Sequence, residues 1–225
     1  MFDGQPYRDE LVRRLDAIRR ILDAAHPDPP PAEGPAAGRE ARGLAILLLF
    51  ASYENLLTSL CRRLLEMALA LRVGNRRLRR GFRLFAVHNQ LQAIAGASDG
   101  RIWRDIGPRL LDCAFDSRQC TLNPDLFPAD GSFMKRSQVV LFCDIFELGD
   151  PGPILKEVWS RLDTVVTERN GIAHGRLTPE EVGRCYSLGE IRELVDLWET
   201  RWKSFIGNVE SRARERGFYR YNRNR

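Results

Sequence analysis

The sequence has few cysteines, and none of them lies in an arrangement typical of a metal site or a disulfide framework. The five cysteines are widely spaced, no two of them form a C-x-x-C pair, and no histidine lies at ligand spacing from them. An odd number of scattered thiols is typical of small core residues, so we expect no bound metal and no other cofactor. The cysteines are Cys61, Cys113, Cys120, Cys143 and Cys185.

Long apolar segments are also missing. The longest uninterrupted apolar run covers residues 44–51, whereas a helix needs about 20 mainly apolar residues to span a bilayer. The first residues, 1–10, are polar and acidic, unlike the basic and then apolar start of a signal peptide. We therefore expect no membrane-spanning segment, no membrane partner and a cytoplasmic location.

Lysine is rare, and arginine supplies nearly all of the basic charge. Lysine occurs only at positions 135, 156 and 203, and the 35 basic and 30 acidic residues give a net charge of +5. A modest basic excess is weak evidence for an anionic partner, because many basic proteins never contact nucleic acid. The preference for arginine fits phosphate binding, but genomic base composition explains it as well.

Strand-like alternation of useful length is absent, and helical periodicity extends over most of the chain. Apolar residues recur every three or four positions over 7–25, and a linker rich in proline, alanine and glycine follows over 26–38. We divide the chain into an N-terminal helix with this linker, residues 1–38, and a helical domain, residues 39–225. A chain of 225 residues can bury a sizeable core in one such domain.

The helical domain begins with a strongly apolar stretch. A central helix is expected over 39–73, either continuous or with one break, and Gly74 is its stop signal. Frequent glycine, aspartate and proline over 96–128 predict a loop-rich insertion that contains one helix, around 106–115.

Four later helices are predicted from apolar periodicity and capping signals. The first begins at Ser132, and the second covers 153–174 and ends before Gly175, which suits a left-handed stop. The third follows Thr178 and the fourth follows Ser187. Each of these two residues begins a capping box, with glutamate three positions later.

Arg169 interrupts the apolar face of the helix over 153–174. A guanidinium cannot be buried alone, so it needs a carboxylate, access to solvent, an anionic ligand or a second subunit. Glu54 in the central helix is its expected charge partner, although Glu54 and Tyr53 also suit an ordinary surface pair. Arg169 lies in register with four apolar residues, Leu155, Leu162, Val166 and Ala173.

Residues 168–175, Glu-Arg-Asn-Gly-Ile-Ala-His-Gly, resemble the R-x4-6-H motif of the HEPN superfamily in its common R-N-x-x-x-H form. The segments 50–56 and 122–127 precede it in the order seen in stand-alone prokaryotic HEPN proteins of the MAE-like branch. The resemblance covers roughly residues 39–221. It implies an all-α fold, an antiparallel helical bundle of HEPN type, to which the N-terminal helix, the linker and the insertion are added.

The resemblance further implies a metal-independent endoribonuclease whose site forms from two motifs across the cleft of a homodimer. His174 is then the general base or acid, Arg169 stabilises the phosphorane charge, and Asn170 orients the histidine or the phosphate. The 2′-hydroxyl of RNA attacks its own phosphorus, which leaves a 2′,3′-cyclic phosphate and a 5′-hydroxyl. The implied role is a toxin or phage-defence effector, with an antitoxin or another defence protein as partner.

Other side chains are candidates for contact with RNA. Tyr53, Glu54 and Glu168 are expected to line the cleft. A basic cluster is expected to guide the RNA backbone, with Phe82 and Phe85 available for base stacking, unless it is an ordinary solvated surface. The cluster consists of Arg72, Arg76, Arg77, Arg79, Arg80 and Arg83.

Several alternatives stay open at this stage. The chain is also consistent with a non-catalytic HEPN module that binds RNA or a protein. It is consistent too with a scaffold in which Arg169 and His174 only cap a helix C-terminus, where the helix dipole favours cations. Arg176 stands where some HEPN toxins carry a tyrosine that is adenylylated, so that form of control is not expected. The tail over 212–225 is expected to fray rather than to bind RNA.

Overall fold

The computed structural model describes residues 1–27, 36–118 and 120–221, and within these ranges it is built from helices without a β-strand. The predicted all-α class is confirmed. A 3-10 turn (Asn75–Arg77) precedes α3, and a π-helical turn (Ile102–Ile106) joins α5 to α6. The α-helices are α1 (Gln5–Ala25), α2 (Ala36–Ala70), α3 (Arg80–Ala86), α4 (His88–Ile94), α5 (Asp99–Arg101), α6 (Gly107–Phe115), α7 (Arg136–Ile145), α8 (Gly152–Ala173), α9 (Pro179–Arg184) and α10 (Leu188–Arg214).

The central helix α2 organises the core, because it packs against α1, α8, α9 and α10. Helix α2 is continuous over 36–70, which is one of the two forms that the sequence allowed. Helix α1 buries the apolar stripe that its periodicity predicted, and this stripe belongs to the same core as α2. The buried residues of α1 are Leu11, Leu15, Ile18 and Leu22.

Helix α2 is long and apolar enough, by length and composition, to cross a membrane, with a mean hydropathy of 1.6 over its most apolar window. The longest uninterrupted apolar run, residues 44–51, is too short to indicate this property. Within that window 56% of the helix is buried inside the protein. The apolar character of α2 is therefore accounted for by its central position, where most sides of the helix contact other helices.

The predicted helix start at Ser132 is wrong, because α7 begins at Arg136. The backbone before it is left-handed at Gly131, Phe133 and Met134, with φ values of +80°, +53° and +70°. An α-helix needs negative φ at each residue. Residues 131–134 therefore form a loop with an unusual backbone, although Ser132 looks like an N-cap in the sequence.

Helix α9 crosses α2 at two glycines. A β-carbon on Gly43 would lie 1.9 Å from the carbonyl oxygen of Pro179, and one on Gly183 would lie 1.8 Å from that of Arg39. The backbones can approach this closely only because both side chains are hydrogen atoms. The capping boxes predicted at Thr178 and Ser187 are both formed, so the start of α9 and of α10 is well defined.

The chain after α10 is packed where it is described, so the prediction of a frayed tail is wrong up to residue 221. The N–H of Arg79 donates to the carbonyl of Tyr219, and the N–H of Tyr221 donates to the carbonyl of Arg77, both at 3.0 Å. Phe218 and Tyr219 also contact the ring of Phe82. Residues 222–225 and most of the predicted linker, 28–35, lie outside the described ranges.

The cysteines differ in exposure, which corrects the prediction that all five are core residues. Cys61 and Cys143 are buried, and burial raises the pKa of each thiol to about 12. Cys113 and Cys120 are half-buried, and Cys185 is exposed at the end of α9. Only the first two therefore behave as the small core residues that the sequence indicated.

Candidate functional site

The last turn of α8 lies at the edge of the core. Arg169 continues the buried face of this helix, as its register predicts, and is half-buried, while Gly171 is buried and Ile172 packs against the core. Ala173, one turn further on, is exposed, so the prediction that it lies on the buried face is wrong. A charged residue is accepted at position 169 because the side chain lies at the edge of the core. The buried apolar residues of α8 are Leu155, Val158, Leu162, Val165 and Val166.

Arg169 is half-buried between an aromatic ring and an amide. Its guanidinium carbon lies 4.4 Å from the centroid of the Phe50 ring, and Nη1 donates to Oδ1 of Asn170 at 2.9 Å. Within 1–27, 36–118 and 120–221, Arg169 forms no ion pair, so the expected pair with Glu54 is wrong. The cation–π contact and the amide hold the guanidinium without neutralising it, and several of its N–H donors stay available for an anion.

Asn170 and His174 lie on a different side of α8 from Arg169. At 100° per residue, Asp163, Thr167, Asn170 and His174 fall within an arc of about 60° and form one stripe along the helix. His174 is exposed, and its imidazole has no hydrogen-bond partner among the residues that the structure describes. Its ring nitrogens are therefore accessible to a bound molecule.

The end of α8 is capped by the backbone. Gly175 has a φ of +67°, its N–H donates to Ile172 at 3.0 Å, and the N–H of Arg176 donates to Gly171 at 2.8 Å. This hydrogen-bond pair is a Schellman motif, which satisfies the last carbonyls of a helix. In the described part of the chain the side chain of His174 bonds no carbonyl here, so the capping alternative is left with the interaction of its charge with the helix dipole.

Glu168 faces away from the stripe of α8 that carries Asn170 and His174. Both of its carboxylate oxygens accept from the hydroxyl of Tyr186, at 2.9 and 2.8 Å. Burial raises the pKa of Glu168, while the Tyr186 hydrogen bond and the charge of Arg161 act in the other direction. Glu168 lies about 120° around the helix from His174. Its carboxylate is held by Tyr186 and is not free to line a site with the histidine. No local pattern in the sequence indicated this pairing.

Tyr53 is fully buried, so the prediction that it lines an open cleft is wrong. Its ring stacks on Trp202 with centroids 5.5 Å apart, and its hydroxyl donates to the carbonyl of Met134 at 2.7 Å. Glu54, the next residue, is half-buried, and no ion pair of its carboxylate is found among the described residues. Tyr53 thus anchors the loop before α7 from inside the core, on the same helix as Phe50 and one turn from it.

The basic cluster divides into paired and free arginines. Arg79 pairs with Glu147 and stacks on Tyr221, with 5.3 Å between the guanidinium carbon and the ring centroid. Arg83 donates to two backbone carbonyls, and Arg77 is half-buried. Three members are exposed and have no ion pair in the described part of the chain, namely Arg72, Arg76 and Arg80.

The two aromatic residues predicted to stack on bases cannot do so. Phe82 and Phe85 are buried, and both contact the ring of Phe146 in the core. Their aromatic character signalled a binding surface in the sequence, but the fold uses it for packing. The described residues also include no group of three or more histidine, cysteine, aspartate or glutamate side chains that could hold a metal ion.

Comparisons with protein-family models, curated proteins and solved structures returned no match to this chain. The likeness to HEPN proteins therefore rests on the motif and its flanking segments alone.

Proposed function

We propose that this chain is a HEPN-type, metal-independent endoribonuclease that acts as a homodimer, in the role of a toxin or a phage-defence effector. One observation carries the proposal. The end of α8 holds an arginine that no described carboxylate neutralises, together with an exposed histidine whose ring makes no hydrogen bond to a described residue. An unneutralised guanidinium and an accessible imidazole are the two groups that RNA transesterification needs.

The roles follow from the chemistry of these side chains. The planar fork of Arg169 suits two oxygens of a phosphate, and its contact with Asn170 orients the fork. His174 accepts the proton of the 2′-hydroxyl or donates a proton to the leaving 5′-oxygen. The 2′-oxygen forms a bond to phosphorus, and the bond from phosphorus to the 5′-oxygen breaks.

A second copy of the chain completes this site. Cleavage needs both a base and an acid, and one chain supplies a single imidazole on this surface. Two α8 ends that face each other would supply two imidazoles and two guanidiniums around one phosphate. We therefore expect activity to depend on protein concentration, through assembly of the homodimer.

The test is incubation of total RNA in EDTA with wild type, Arg169→Ala and His174→Ala, followed by mapping of the RNA ends. We expect wild type to leave 2′,3′-cyclic phosphate and 5′-hydroxyl ends. Each variant should lose roughly 100-fold or more of the rate, because general acid–base catalysis by His174 and electrostatic stabilisation by Arg169 each contribute about that much. His88→Ala and Arg192→Ala are the matched controls and should keep activity, since His88 lies on α4 and Arg192 pairs with Asp23.

A second candidate function is a non-catalytic module that binds RNA. The exposed and unpaired Arg76 and Arg80 favour it, because free guanidiniums on a surface attract a phosphate backbone. RNA bound but uncut by wild type, or cut equally by wild type and His174→Ala, would contradict the nuclease. In cells, growth arrest by wild type but not by His174→Ala would support the toxin role.

A further inference from the structure

Phe133 is an aromatic side chain presented to solvent by an unfavourable backbone. Its side chain is 74% exposed, and its φ of +53° is followed by a φ of +70° at Met134. Non-glycine residues rarely adopt this conformation, and such backbone costs free energy that functional sites often retain. An exposed phenylalanine also leaves a large apolar surface in water. Met134 is buried in the core, whereas the Phe133 side chain takes no part in core packing.

The loop that carries Phe133 is firmly anchored. The carbonyl of Met134 accepts from the buried Tyr53 hydroxyl at 2.7 Å, and the N–H of Met134 donates to Gln138 at 2.7 Å. Gln138 is itself only 4% exposed, and its amide donates to the carbonyl of Pro128 at 3.0 Å. The hydrogen bonds hold the residues on both sides of Phe133, so its exposure is a property of the fold and not of a loose segment.

The same loop is fastened to the stripe of α8 that ends at His174. The backbone N–H and Nε of Arg136 donate to the two carboxylate oxygens of Asp163, at 2.9 and 2.8 Å. Asp163 precedes His174 by three turns on one side of α8, which is about 16 Å along the helix. The loop of Phe133 therefore adjoins the helix that carries the candidate site, at a distance from His174 that a short oligonucleotide can span.

Charges of both signs lie beside Phe133, since Asp130 on the same loop accepts from the N–H of Ser132 and one nearby cation is unpaired. Arg136 neutralises Asp163, and Lys135, between Arg136 and the loop, is exposed without an ion pair in the described residues. An aromatic face beside a free cation is the combination by which proteins hold unpaired nucleotides, since every base can stack and every phosphate is negative.

We propose that Phe133 is a base-stacking residue, which holds an unpaired nucleobase of the RNA a few nucleotides from the phosphate at His174. The inference rests on the proposed function, and it specifies single-stranded RNA as the substrate class. Stacking on Phe133 would select for unpaired segments, because a base within a duplex already stacks on its neighbours.

The test uses His174→Ala as the parent, so that the RNA is not cut, and a single-stranded RNA that contains the fluorescent base 2-aminopurine. Affinity and the quenching of 2-aminopurine are measured at one salt concentration. We expect Phe133→Ala to weaken binding by about fivefold or more and to abolish the quenching. Phe133→Trp should restore both, because tryptophan also stacks on bases.

Ile21→Ala is the matched control, since Ile21 is also an exposed apolar residue, at 38%, but lies on α1, which packs against α2 and α10. It should leave affinity and quenching unchanged. Equal binding by Phe133→Ala and the parent would overturn the inference, as would absence of RNA binding by the parent. A change in oligomeric state that accounts for the loss would overturn it too, and would assign Phe133 to a protein interface.

The inference and the nuclease proposal can fail separately. RNA that is cut by wild type and by Phe133→Ala with the same KM contradicts stacking and leaves the nuclease intact. RNA that is bound with Phe133-dependent quenching but is not cut by wild type supports stacking and contradicts the nuclease.

Discussion

Two ionisable residues next to each other on α8 are held in opposite ways. Arg169 keeps its charge at the edge of the core by stacking on Phe50, and a guanidinium tolerates this because its charge is spread over a plane and weakly hydrated. Glu168 is half-buried against Tyr186, and the loss of water favours its neutral form. The same helix end thus keeps one group charged and makes the charge of the other costly.

The cost of charging Glu168 should be visible in the pH dependence of stability. Burial raises the pKa of Glu168 above its ordinary value of 4.5. The folded chain then binds more protons than the unfolded chain, so this group's contribution to stability is present below pH 4.5 and lost as pH rises through the folded pKa. We expect the free energy of unfolding of wild type, relative to Glu168→Gln, to fall over this window in urea titrations.

Glu190→Gln is the matched control, because hydrogen bonds from Ser187 lower the pKa of Glu190. The contribution of Glu190 to stability is present above pH 4.5 and is lost as pH falls through its folded pKa. The free energy of unfolding of wild type, relative to Glu190→Gln, should therefore rise with pH. A difference between wild type and Glu168→Gln that does not change with pH would contradict the account of Glu168.

At the scale of elements, α9 fixes the segment that follows the motif. Helix α9 is short, yet it is held against α2 by direct backbone approach at Gly43 and Gly183. Its capping box at Thr178 lies four residues after His174. The exposed end of α8 is therefore connected to the central helix through a short turn, which limits the positions that the histidine can take.

Alanine at this crossing should destabilise the protein. Gly183→Ala and Gly43→Ala each place a methyl group less than 2 Å from a backbone carbonyl oxygen, and the helices must separate to admit it. We expect the free energy of unfolding to fall by about 1–3 kcal/mol, the usual cost of overpacking, with the denaturant m-value unchanged.

Gly189→Ala is the control, because a β-carbon there meets only the Ser187 hydroxyl oxygen at 3.9 Å. It should keep or slightly raise the free energy of unfolding, since alanine favours a helix over glycine. Similar losses in all three variants would mean that the crossing is not what makes Gly43 and Gly183 necessary.

At the scale of the whole molecule, most of the positive charge is already used. Many arginines form ion pairs with nearby acids, so the total of 35 basic residues overstates the number of free cations available to a partner. The free cations near the insertion are exposed members of the predicted basic cluster, including Arg76 and Arg80. Any binding of RNA away from α8 should therefore depend on these few side chains.

The dependence of RNA binding on salt tests this distribution of charge. Replacing Arg76 and Arg80 by glutamine should lower the slope of log affinity against log salt by about 0.7 for each phosphate contact that is lost on a single strand. Arg13→Gln is the control, because Arg13 is exposed but pairs with Glu10. An unchanged slope in the double variant would assign the basic cluster to an ordinary solvated surface.

The sequence by itself determined the helical class, the caps at Thr178, Ser187 and Gly175, and the position of the motif at the end of a helix. These properties depend on residues within about one helical turn of each other, so periodicity and capping patterns report them. The predicted start of α7 is wrong for a local reason as well. Phe133 and Met134 have a left-handed backbone, and since neither is a glycine, the sequence does not indicate this conformation.

Contacts between distant segments determine which aromatic and charged side chains reach solvent. Tyr53 is buried against Trp198 and Trp202, and its hydroxyl donates to Met134, 81 residues away. Phe82 is buried under the chain that follows α10. Whether an aromatic or charged residue is exposed depends on contacts between distant segments, and the pattern of neighbouring residues carries no information about them.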